Sequence, residues 1–143
     1  TAAVDLYLAP QDYPDLSFTH ALRSLVDRVL IAVRGAARSI ARTCGSNAKE
    51  LPGYRNALIE TAVYLNAALT AFDVSREVDL FEGSSRAGVV YGVYDIVDQR
   101  VRSRPDHGDE EPSPFADVAD SASALEAVGD RIVKAIVARG SLG

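Results

Sequence analysis

Apolar residues recur every three or four positions between Ser17 and Cys44, at Leu22, Leu25, Val29, Val33, Ala36 and Ile40. On a helix of 3.6 residues per turn they line one side, whereas on a strand they would scatter over both faces. The spacing predicts an amphipathic helix over 17–44, with Ser17 as its N-cap and Gly45 as a left-handed C-cap. Such a stripe is stable only when something covers it, so the rest of the chain must supply the cover.

Three further segments carry the same period. Pro52 suits a first helical turn, and Tyr54, Leu58, Ala62, Leu65, Leu69 and Phe72 follow at helical spacing, continuing through Val74, Val78 and Leu80 to Gly83-Ser84-Ser85. From Arg86, the residues Val89, Val93, Ile96, Val97 and Val101 predict a third helix, with Gly88 and Gly92 four apart inside it. Each glycine costs about 1 kcal/mol relative to alanine, and the pair could open a groove for a neighbouring helix, a pigment or a lipid. Ser113 and Pro114 open the fourth, whose buried face is Val118, Ala122, Leu125, Ile132 and Ile136, and Arg139-Gly140 closes it. Four amphipathic helices can bury their stripes against one another, which predicts an all-α, antiparallel up-down four-helix bundle. Residues 1–15, with Leu6, Tyr7, Leu8, Pro10 and Pro14, are expected to form an extended arm, and 103–112, with four acids and no apolar period, an exposed loop.

With 143 residues the chain has the size of one domain, here 1–143. Its 48% apolar and 24% charged residues suit a globular protein, and the apolar run Val29 to Val33 is far short of the roughly 20 residues of a membrane span. The net charge of −5 argues against nucleic acid as a partner, because phosphate neutralisation needs a concentrated basic surface. One cysteine, Cys44, forms no internal disulfide and reads as a small buried filler at a helix end. Opening on Thr1-Ala2-Ala3, the chain is expected to have lost an initiator methionine or a longer targeting segment.

No convergent catalytic set emerges, and neither cofactor nor metal is expected. A di-iron bundle needs Glu-x-x-His pairs, and neither His20 nor His107 follows a glutamate by three. The spacing of Arg102 and His107 resembles the Arg-x4-6-His signature of HEPN ribonucleases, but Pro105 between them denies the helix that would hold both on an RNA phosphate. Arg34, Arg38 and Arg42, at i, i+4 and i+8, make a basic ridge that either docks an acidic partner or pairs with nearby acids. Tyr7 and Tyr13 in the arm, like Tyr91 and Tyr94, combine apolar area with a hydrogen-bonding tip and suit either an interface or a core. The expected partner-binding residues are therefore Tyr7, Tyr13, Arg34, Arg38 and Arg42, on a non-enzymatic subunit whose partners are proteins of a larger complex.

The run Pro52-Gly53-Tyr54-Arg55-Asn56-Ala57-Leu58, continuing to Ala62, Tyr64, Leu65 and Leu69, resembles the second helix of PsbQ-like extrinsic subunits of photosystem II. The likeness extends over roughly residues 5 to 140, through the paired acids Asp95 and Asp98 and the ending Ile136-Val137-Ala138-Arg139-Gly140. It implies a four-helix bundle with an extended arm in the thylakoid lumen. Peripheral to the membrane, it would dock on the photosystem II core and stabilise the oxygen-evolving complex without supplying a ligand to it. Leu51 stands where plant members have tryptophan, and the acidic stretch 103–112 is additional. Without the resemblance the expected location is cytoplasmic. Ala68-Leu69-Thr70-Ala71-Phe72-Asp73 with the last helix is also similar to the bundle of rod-shaped plant-virus coat proteins, although basic residues aimed at an RNA groove are missing.

Overall fold

The computed structural model describes residues 2–12, 20–80, 88–106 and 111–143. The chain is mostly helical, with α1 Ala2–Leu8, α2 His20–Cys44, α3 Tyr54–Leu80 and α4 Ala122–Ala138. Four short strands, β1 Val90–Tyr91, β2 Val93–Asp95, β3 Arg100–Arg102 and β4 Ala116–Asp117, lie between α3 and α4.

The core forms where α2, α3 and α4 meet. Val33, Ala36 and Ile40 of α2, Leu58 and Leu65 of α3, and Ile132, Val133 and Ile136 of α4 are buried together. A small residue lets α2 and α4 approach: a Cβ on Gly129 of α4 would collide with the Ser39 hydroxyl, whereas one on Gly35 would make an ordinary contact 3.5 Å from Leu65 Cδ1. Ser39 against Gly129 and Arg42 against Asp130 rise together along the two helices, so α4 runs parallel to α2. Glu60 against Arg139 and Gly53 against Ser141 show α3 antiparallel to α4. An up-down four-helix bundle would instead set its last helix antiparallel to its first.

The third helix expected over 86–101 is not formed among the described residues. Val89, Val93, Ile96, Val97 and Val101 fit helical spacing, but these β-branched side chains, and Val90, Tyr91 and Tyr94 between them, also favour a pleated surface. Gly88 and Gly92 further weaken a helix. The outcome is two antiparallel pairs. Val90 and Tyr91 face Asp117 and Ala116 in one, and Val93, Tyr94 and Asp95 face Arg102, Val101 and Arg100 in the other. Gly92 is needed here for close approach rather than a helix groove: an added Cβ would lie 2.6 Å from Val101 Cγ1 and 2.5 Å from the Pro114 carbonyl.

Other boundaries shift for local reasons. Residues 2–8 of the expected extended arm form α1, a short helix that buries Val4 and packs Ala3 and Tyr7 against the core. Asp5 ties it to Arg55 at 2.7 Å. Ser113 does not cap a helix: its hydroxyl donates to the Phe115 carbonyl, and the chain stays extended through β4. Ser121 caps α4 instead, its Oγ accepting from the Ala124 N–H at 3.3 Å. Gly45, at φ 87, ends α2 as expected, and Cys44 is half-buried against the core, which pushes its thiol pKa up. The Ser17 cap lies outside the described residues, and Leu25 of the predicted stripe is 59% exposed, so the buried part begins near Val29. In the loop 103–112, Pro105 and Pro112 are buried rather than exposed.

By length and composition, Tyr54–Asp79 is apolar enough to cross a membrane. Its apolarity has a use in this fold, because α3 touches α1, α2, α4, β1 and β2 and so buries several faces at once. Thr61 is fully buried on it and its hydroxyl has no partner among the described residues. Thr61→Val should therefore raise stability by about 1 kcal/mol, because an unsatisfied buried hydroxyl is replaced by a methyl of the same shape. Ile40→Ala should cost about 2–5 kcal/mol through the cavity it leaves. Urea denaturation of both variants checks the two signs.

Candidate binding surfaces

The predicted arginine ridge divides in two. Arg42 is an internal clip: its guanidinium donates to Asp130 at 2.8 Å and to the Ser39 hydroxyl at 3.1 Å, with Glu126 at 3.7 Å. The hydrogen bond to Asp130 holds Arg42 more firmly charged than usual. Arg34 and Arg38 are exposed one turn apart and make no ion pair among the described residues. Three other arginines are paired, Arg55 with Asp5, Arg100 with Glu111, and Arg139 with Glu60.

Beside the ridge, a groove of about 210 Å³ opens between α2 and α4. Gly35, Leu65, Leu69 and Leu125 line it with Ile31, while Arg38, Arg42 and Glu126 are also among its lining residues. It exists because Gly35 lacks a side chain and because the first turn of α4 begins just there, at Ala122.

The predicted tyrosine pair is not brought to the ridge. Tyr7 is half-buried in the α1 contact and close enough to Tyr54 to help raise its pKa, after burial itself. Tyr13 lies outside the described residues. Tyr91 is buried in the core, whereas Tyr94 is 57% exposed.

A constellation that the sequence reading missed surrounds Arg102. Its guanidinium meets Asp98 at 2.6 Å, Asp106 at 3.1 Å and Asp95 at 3.3 Å. The side chain is only 11% exposed and rests near Tyr64, whose own pKa burial pushes up to about 12. Asp95 also accepts from the Val97 N–H at 2.8 Å and the Asp98 N–H at 3.3 Å, closing the turn of the β2–β3 hairpin. Those two backbone donors, with Arg102 adding to them, hold the Asp95 carboxyl below its usual pKa. Gln99, at φ 57, completes the turn.

Between the two aspartates the hairpin presents Ile96 and Val97, 81% and 90% exposed. Helical periodicity assigned both to a core. Among the described residues no group of three or more metal-ligating side chains converges. His107 lies outside the described residues, and Arg102 is already held by carboxylates whose field opposes an RNA phosphate.

The chain matches no family model, no curated protein and no solved structure.

Arg102→Met should leave three carboxylates facing one another without their cation. Amides of residues 95–102 should then exchange at least about tenfold faster in hydrogen-exchange mass spectrometry, while those of α3 and α4 stay protected. The depressed Asp95 pKa sets the sign with pH. Its contribution is complete above the unfolded carboxyl value near 4 and lost as pH falls through the lower folded value. Protection of the hairpin should accordingly drop below about pH 4, which exchange measured across pH 2–6 would detect.

Proposed function

We propose that this chain is a non-catalytic binding subunit of a larger protein assembly, and that it docks an acidic partner through the outer face of α2. One observation carries this reading. Within a chain of net charge −5, α2 holds Arg23, Arg28, Arg34, Arg38 and Arg42 against a single acid, Asp27. Of these, Arg34 and Arg38 are exposed without an ion pair among the described residues, although the chain is rich in acids. Arginines in such positions are available to a carboxylate-bearing surface, where their fork geometry suits paired hydrogen bonds.

The photosystem II core is the narrower form of this proposal, and a lumenal location goes with it. Support for that form rests on the α3 run from Pro52 to Leu69. The acids Asp95 and Asp98, which the resemblance placed on a third helix, stand on a hairpin instead. A HEPN-like ribonuclease would need Arg102 free to meet phosphate, yet its donors are engaged by Asp95, Asp98 and Asp106. A coat-protein role would need a basic face toward RNA, and the basic face available is one helix of an acidic chain.

Poly-L-glutamate serves as a defined acidic probe. The double reversal Arg34→Glu with Arg38→Glu should weaken its binding at least about tenfold at low salt, while the melting temperature stays unchanged because both side chains are exposed. Equal binding by the double variant and the parent overturns the reading. Comparing proteins that co-purify with each from the native source would then identify the natural partner.

A further inference from the structure

Two surface features are complementary in size and charge, and the second of them shares Arg38 with the basic ridge. The first is the β2–β3 tip, where Ile96 and Val97 stand almost fully in solvent. Two large apolar side chains held side by side in water leave area that association with another surface can bury. This tip is also rigidly based, with Arg102 bracing its root and Asp95 closing its turn. A preorganised projection loses little freedom on binding.

The second is the groove between α2 and α4, about 210 Å³ and floored by Gly35, Leu65, Leu69 and Leu125. An apolar cavity of about 150 Å³ accepts a benzene molecule, so this groove is of a size to take two small aliphatic side chains. The charges agree as well. Asp95, Asp98, Asp106 and Glu111 outnumber Arg100, Arg102 and Arg104 by one, so the root of the tip carries a small excess of negative charge. Arg38, at the groove, has no ion pair among the described residues, and Glu126 there is engaged by Arg42.

Tip and groove belong to different parts of one molecule. The β2 strand that carries the tip packs on α3 and makes no contact with α2 among the described residues, whereas the groove opens between α2 and α4. A contact joining them across copies is therefore heterologous, and repetition produces an open chain or a closed ring.

We infer that copies of this chain associate head to tail, the Ile96–Val97 tip of one seating in the α2–α4 groove of the next. The inference rests on the reading of the chain as a binding subunit and supplies one partner, a second copy.

Sedimentation velocity over a concentration series reaching about 1 mM, the weak end of specific binding, tests it. The parent protein should show an average mass that rises with concentration and falls as salt is added. Two variants at exposed positions separate the halves: Ile96→Ser with Val97→Ser removes the tip, and Ile31→Lys with Arg38→Glu spoils the groove. Each alone should remain monomeric throughout. Mixed in equal amounts, they should form dimers and nothing larger, because one supplies only a groove and the other only a tip. A parent protein monomeric throughout, a tip variant that associates like the parent, or a mixture that stays monomeric would each overturn the inference. Arg34→Glu, which lies outside the groove, should weaken poly-L-glutamate binding and leave the mass distribution unchanged. Failure of the acidic-partner reading would show in the first measurement alone.

Discussion

Helix α3 is the element around which the other described elements arrange themselves. Its apolar residues are not confined to one stripe: Leu58 and Leu65 join the main core, while Tyr64 lies near the charges of the strand region. A helix that is apolar on several faces must be surrounded, and α1, α2, α4, β1 and β2 all touch it. That requirement explains why three long helices among the described residues suffice to build a core, and why β1 and β2 pack on α3 without being helical themselves.

Close approach then sets how the surfaces are distributed. Gly129 lets α4 settle against Ser39 of α2, and Arg42 locks the pair through Asp130. This uses up the last arginine of the ridge and leaves Arg34 and Arg38 facing outward. Gly35 leaves an apolar groove beside them, and Gly92 lets the strands meet Pro114 so that the hairpin tip projects. Glycines and the Arg42 clip thus place an apolar groove next to the basic face, with the apolar tip on another part of the molecule.

Arg102 shows how much of a polar site depends on register. In a helix, Asp98 and Arg102 would form an ordinary exposed pair four residues apart, worth a few tenths of a kcal/mol. In the hairpin the same residues are joined by Asp95 and Asp106 around a largely buried guanidinium. The residues are unchanged, and only the backbone path makes them a cluster.

The chain's own pattern determined its mostly helical character, the spans of α2 and α3 to within a few residues, the C-cap at Gly45 and the packing of Cys44. These follow from local periodicity and backbone preference, which act over a single turn. The segment from Val89 to Val101 was ambiguous at that level, since valines and tyrosines at helical spacing also satisfy a pleated surface. Tertiary contact resolved it: β1 found β4 more than twenty residues away, and Gly92 met Pro114. The direction of α4, the division of the arginine ridge and the exposure of Ile96 and Val97 were likewise decided there, because each depends on which distant segment arrives as a neighbour.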